Sequence, residues 1–277
     1  MNNKILGIVV GLSSIVWLSL APSSAKAQSA DRERASVYIG TFITDRNTSA
    51  RVDSDSGSAG SDVDLESDLG LKASTSVARA GGYVWLSRRN RIDLSYFDLS
   101  RSASRKIDKT INFDDKTFAI NTTVSSENHL TITKLDYTFA FLTRENWFVG
   151  FNAGLYVART GLSLREPTLG TYDSEGLTAP LPVIGFRGDY AINDKWTLRG
   201  NFQWFGITVD NFSGHLTDTY AGVDRSFGKR FAVGLAYDTV KMNIQATKTS
   251  LKGTLDWAYN GWLIYFKTDF GGGVDKR

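Results

Sequence analysis

Cysteine is absent from the sequence. Disulfide staples and thiolate metal sites are therefore excluded, and the absence suits an export route on which stray thiols would be oxidised. Proline is scarce: of four in the chain, only Pro167, Pro180 and Pro182 lie beyond residue 27. With glycine and aromatic residues spread along the sequence, this composition argues against a disordered secreted tail. After residue 27 no apolar run approaches the ~20 residues that a membrane helix requires. Charge of one sign is missing too. There are 32 basic and 29 acidic residues, and because Lys4 and Lys26 fall in the N-terminal segment the net charge of +3 shrinks to +1 for the remainder. Such a balance carries no footprint for nucleic acid. Nor does the sequence hold a glycine-rich phosphate loop, a zinc-ligand spacing or a nucleotide fingerprint, so no cofactor is expected.

What is present begins with an export signal. Lys4 supplies a positive start, Ile5 to Ala21 is apolar with serine interruptions, and Ala25-Lys26-Ala27 has the small-x-small cleavage pattern. This predicts a signal peptide over 1–27, cut before Gln28, and a single domain over 28–277.

That domain is dominated by alternation of period two. Leu135, Tyr137, Phe139 and Phe141 alternate with Lys134, Asp136, Thr138 and Ala140. Trp147, Val149, Phe151, Ala153 and Leu155 interleave with Gly150, Asn152, Gly154 and Tyr156. Ile184, Phe186, Tyr190 and Ile192 oppose Arg187 and Asp189, and Trp196, Leu198, Phe202 and Trp204 oppose Arg199, Asn201 and Gln203. Helices place apolar residues three and four apart, so these are strands with one greasy face and one small or polar face. A soluble sandwich also alternates, but it scatters charge over its outer face, whereas these apolar faces are strongly aromatic.

Connections alternate in length. Tight turns at 88–91, 143–146, 193–195 and 228–230 separate longer polar stretches, chiefly 50–75 and 102–128, then 163–175, 211–215 and 247–253. Four turns and five loops predict an antiparallel up-and-down transmembrane β-barrel of about ten strands, all-β, with both termini on the short-turn side. Eight or twelve strands are the alternatives, because residues 107–124 suit either loop or strand. Trp147 and Trp196 at one set of strand ends, and Tyr96, Trp204 and Trp257 near the other, suit two interfacial girdles.

The last strand, about 254–270, alternates Trp262, Ile264, Phe266 and Phe270 against Gly261, Tyr265 and Lys267. Here the chain resembles the outer-membrane β-barrel families of Gram-negative bacteria, in particular the small barrels of the OmpA/OmpW-like class. The resemblance implies residence in the bacterial outer membrane and contact with its lipids and lipopolysaccharide. It also implies delivery by periplasmic chaperones and barrel-assembly machinery, with Phe270 as the assembly signal.

The residues assigned inward include Arg79, Lys134, Arg187, Arg199 and Lys267 against Asp93, Asp136, Asp189, Asp224 and Asp238. Balanced charges inside a narrow barrel are expected to pair, giving a side-chain-filled lumen, since small barrels are filled and water-filled pores need more strands. The expected role is structural or surface-interacting, with loops 50–75 and 102–128 available to extracellular ligands. A small channel for ions or solutes is one alternative, and a lipid hydrolase or acyltransferase another. The second would rest on Ser213 and His215, two apart on one strand face, with Asp210 or Asp218 as the orienting acid. Omptin-like proteolysis needs facing acids and an Asp–His pair in the mouth, for which no pairing is recognisable. No enzyme is therefore expected. The acids Asp53, Asp55, Asp62, Asp64, Glu66 and Asp68 offer oxygen ligands for calcium, though not at an EF-hand spacing.

Overall fold

The computed structural model describes residues 33–54, 60–168, 170–209, 212–246 and 252–271. The expected leader and its cleavage site lie outside these residues. Within them there is no helix, and thirteen strands follow one another. They are β1 (Ala35–Asp53), β2 (Val63–Asp64), β3 (Thr75–Trp85), β4 (Asn90–Lys106), β5 (Ile111–Phe113), β6 (Lys116–Phe118), β7 (Thr123–Thr143), β8 (Trp147–Arg165), β9 (Tyr172–Asn193), β10 (Trp196–Val209), β11 (Phe212–Phe227), β12 (Phe231–Ala246) and β13 (Lys252–Phe270).

Ten of these form a closed antiparallel ring, each pairing with its neighbours in sequence order, and β13 returns to β1 along its whole length from Ala35–Phe270 to Asp53–Lys252. The ten strands expected from turn counting are these. Closure leaves no sheet edge, which is the condition for a β-structure to sit in hydrocarbon. The short β2 pairs with β1, and β5 with β6 makes a separate hairpin. The segment 107–122 thus folds as a loop carrying its own hairpin.

Apolar side chains point outward along the lower part of the ring. Ile39, Ile43, Leu94, Leu135, Phe151, Phe186, Leu198, Phe202, Val233, Leu235, Ile264 and Phe266 are all exposed. Strand register lines them into rows. On the wall made by β4, β7, β8 and β9, three successive rows read Ile92–Tyr137–Ala153–Ile184, Leu94–Leu135–Leu155–Pro182 and Tyr96–Thr133–Val157–Pro180. The next row, Asp98–Thr131–Arg159–Thr178, is polar. A membrane strand needs about 9–11 residues, whereas β7 has 21 and β9 has 22. The sheet therefore continues well above the apolar band.

One aromatic is placed differently from its sequence expectation. Trp257 faces inward, 4% exposed, and packs against Tyr259 rather than joining a girdle. The cause is parity: Trp262 and Ile264 point outward on β13, so Trp257, an odd number of residues away from Trp262, points in.

Candidate functional site in the lumen, mouth and outer wall

The inward faces carry two separate ion pairs and, toward the short-turn end, one linked network. Arg79 pairs with Asp238, and Lys134 with Asp218. Arg187 reaches Asp93 at 3.4 Å and Asp136 at 3.8 Å. Arg199 bridges Asp189 and Asp224, both at 2.7 Å, and Lys267 joins Asp224 at 2.9 Å. All ten charged residues assigned inward from the sequence are brought together here. Sequence reasoning missed four members, among them Asp269, 3.4 Å from Lys267. Arg91, expected in a turn, lies in β4 and binds Asp93 at 2.6 Å and Asp189 at 3.0 Å. Asp218 falls in the faint pattern of β11. Glu33, just before β1, takes a hydrogen bond from the Tyr83 hydroxyl and lies 3.6 Å from Arg199. Parity with Asp93 would have found Arg91.

Neutral groups complete the network. Gln203 donates to Asp136 at 2.7 Å, Asn152 donates to Asn201 at 2.7 Å, and the Tyr265 hydroxyl donates to Asp224. A residual cavity of about 80 Å³ remains among Arg79, Asp93, Lys134, Arg187, Arg199 and Lys267. It has room for a few waters and no more.

Further along the strands the interior turns apolar. Phe42, Phe97, Leu130, Ile132, Tyr156, Leu181, Val183, Val240, Met242, Ile244, Tyr259 and Leu263 form one buried cluster. Phe42, Phe97 and Tyr259 meet edge to face with ring centroids 5.3–5.8 Å apart. Beyond it, Arg101 pairs with Glu66 and donates to Thr48 and Asn128. The loops then close the mouth: Val63, Leu65, Leu69 and Leu71 of the first loop pack with Ile107, Ile111, Phe113 and Phe118 of the second, against Leu162 and Leu164 of β8. Each such side chain stabilises the cap by about 1.5–3 kcal/mol on burial.

The acids of the first loop do not converge on one point. Asp53 binds Arg51, Glu66 binds Arg101, and Asp68 binds Lys109 at 2.6 Å, while Asp64 accepts the Ser67 backbone N–H. Asp55 lies outside the described residues. Among the described residues, the carboxylates that do approach one another are Asp114, Asp173 and Glu175, whose oxygens lie within 4.8 Å.

Both histidines of the chain sit on the outer wall. Ser213 is 3.2 Å from the Thr208 hydroxyl, and Asp218 points inward to Lys134, so it cannot orient His215. Asp210 lies outside the described residues. The other histidine is better connected: His129 Nδ1 is 3.0 Å from Ser100 Oγ, and its Nε2 is 3.0 Å from Thr131 Oγ1. Phe270 points outward at the end of β13, opposite Ala35.

No protein-family model and no curated protein matches the sequence. Solved structures do match. The outer membrane protease OmpT of Escherichia coli superposes with a TM-score of 0.56 over 85% of this chain and 96% of its own, at 12% identity. Ail, the attachment invasion locus protein of Yersinia pestis, matches with a TM-score of 0.36 over 85% of this chain and 97% of its own, at 10% identity. The Pseudomonas putida toluene transporter TodX follows at 0.35 over 87% and 91%, at 7% identity. With a closed ten-stranded ring, an outward apolar band and this likeness to OmpT, the chain has the fold of the Gram-negative outer-membrane β-barrel proteins.

Proposed function

We propose that the protein is a non-conducting outer-membrane scaffold, sealed along its lumen, whose cap and extracellular wall form the working surface. The observation that carries this is the succession of plugs along one axis: an ion-pair layer, an apolar cluster centred on Phe42 and Tyr259, and the cap of the two long loops. An ion crossing it would have to displace paired charges and then pass through a predominantly apolar layer, both costly steps. Single-sign rings, which favour selective conduction, are not present among the described lumen residues.

Export by a leader cut before Gln28, delivery by periplasmic chaperones and recognition of Phe270 by the assembly machinery fit this placement. Lipopolysaccharide would surround the outer half. Proteolysis in the mouth, the activity named for OmpT, is not supported, because neither histidine of this chain lines the interior. Planar-bilayer recording on the purified barrel tests the reading. A flat baseline is expected, and stable single-channel steps that change on mutating Arg187 or Arg199 would overturn it.

A further inference from the structure

Above the apolar band, the outer wall carries a hydrogen-bonded chain with a defined direction. Ser100 on β4 and His129 on β7 face each other in register, and so do Asp98 and Thr131 two residues nearer the membrane. Thr131 Oγ1 donates to Asp98 Oδ2 at 3.1 Å. Because the threonine has one hydroxyl hydrogen, its contact with His129 Nε2 at 3.0 Å must be an N–H from the ring. Nδ1 is then the bare nitrogen, and it accepts the Ser100 hydroxyl at 3.0 Å. Asp98 Oδ2 itself lies 3.7 Å from Nε2. The chain thus fixes the tautomer that a base acting on serine requires.

On its extracellular side lies a largely polar depression of about 600 Å³, lined by Ser100, His129, Glu127 and Glu175 together with Gly161 on β8 and Gly176 on β9. These two glycines differ from those that the fold crowds. A Cβ on Gly161 would stand 3.7 Å from its nearest neighbour and one on Gly176 3.4 Å, whereas on Gly154 it would meet Asp136 at 2.0 Å. Packing does not require glycine at either position, and the two leave room for a ligand beside His129.

The row of Asp98 and Thr131 is the first polar one above the lipid-facing rows. With about 3.3 Å of rise per residue and a tilt near 40°, Ser100 sits roughly 5 Å beyond it. That lies within the headgroup layer of ~5–8 Å on each side of the hydrocarbon. Arg159, exposed on the same wall opposite Thr131, adds a positive charge at that level.

We propose that Ser100 and His129 are the nucleophile and general base of an interfacial hydrolase for long-chain acyl esters of outer-leaflet lipids, positioned by Thr131 and Asp98. Ser100 Oγ attacks the ester carbonyl carbon and its proton passes to His129 Nδ1. The carbon–oxygen bond to the lipid alcohol breaks, and the imidazolium returns that proton to the leaving oxygen. Water then attacks acyl-Ser100, giving its proton to Nδ1. The Ser100–acyl bond breaks, Ser100 regains the proton, and a fatty acid leaves. The acyl chain stays against the lipid-facing rows below Asp98 and Thr131, and Arg159 faces the phosphate or the carbonyl oxygen as it becomes anionic.

The test uses the refolded full barrel in two arms, phosphatidylethanolamine–phosphatidylglycerol vesicles and purified lipopolysaccharide, with fatty-acid release read by mass spectrometry. A small fluorophosphonate probe reads Ser100 directly. Release in one arm is expected, and which arm responds identifies phospholipid or lipid A as the source. Ser100→Ala should abolish both release and labelling, and His129→Ala should lower release at least about 100-fold. Thr131→Val should lower kcat with KM unchanged and Thr131→Ser should restore it, which separates positioning from a structural role. Heat-modifiable migration reports folding for every variant. No labelling at Ser100 and no release in either arm, from a barrel that migrates as folded, defeats the proposal.

Discussion

Asp93 and Asp136 stand directly opposite each other on β4 and β7, an arrangement that repels unless something neutralises it. Arg187 does so by reaching both, and Arg91 holds Asp93 from the other side. The buried pair of Arg79 and Asp238 is more isolated, with Arg79 also lying over the Phe42 and Phe97 rings at 5.3 and 5.7 Å. Arg79→Ala leaves an acid buried without its partner and is expected to cost about 3–5 kcal/mol in urea unfolding from detergent micelles. The double change Arg79→Met with Asp238→Leu should recover most of that loss, because no lone charge remains. At the short-turn rim, burial by itself would raise the Glu33 carboxyl, but Lys267, Arg199 and the Tyr83 hydroxyl outweigh it and hold it below its ordinary value. A depressed acid contributes stability above its unfolded pKa and loses it as pH falls through the folded one. Glu33→Gln should therefore lower the unfolding midpoint at pH 7 and flatten its decline below about pH 4.5. Arg91 and Glu33 were missed, whereas the inward assignment of Arg79, Asp93, Asp136, Arg187 and Asp238 was legible, since parity with neighbouring apolar residues sets it. Their partners were not: Arg79 and Asp238 are 159 residues apart, and only strand order and register bring them together.

At the scale of the element, what each strand can carry depends on what its neighbours leave room for. Gly234 on β12 lies beneath the Tyr265 ring of β13, and a Cβ there would come within 2.1–2.5 Å of ring carbons. That ring packs on Tyr38 with centroids 5.3 Å apart, and its hydroxyl donates to Asp224. Gly234→Val has to evict the ring and break that hydrogen bond, so it should destabilise by about 1–3 kcal/mol or more. A lower midpoint for the heat-modifiable transition is the expected readout, and an unchanged midpoint would show that the ring relocates freely. The strands themselves were readable because a lipid-facing surface repeats every second residue. The cap was not. Ile107, Ile111, Phe113 and Phe118 follow no single period, since a loop hairpin buries them against another loop and β8. The Ser100–His129 contact was hidden for a related reason: the loop between β4 and β7 conceals which residues will be paired across it, and no motif within one strand announces them.

For the whole molecule, the layers proposed to seal the lumen are redundant, and their order along the axis decides which one matters. The cap closes the mouth, but the apolar cluster beneath it is built entirely from barrel strands: Phe42 of β1, Phe97 of β4, Ile132 of β7, Leu181 of β9, Val240 of β12 and Tyr259 of β13. Those strands are held by the ladder around the full ring, including the nineteen paired positions that join β1 to β13. Replacing 108–121 with a short glycine–serine linker removes β5, β6 and the apolar side chains they bring to the cap. It leaves the ring and the layer around Phe42 unchanged. Such a variant should still assemble into a heat-modifiable barrel and should give no conductance in a planar bilayer, while the extracellular ends of β7 and β8 become sensitive to added protease. Steps appearing in this variant but not in the parent would place the seal in the cap. The lumen below would then be an open path held shut from outside, and the barrel a gated channel rather than a scaffold.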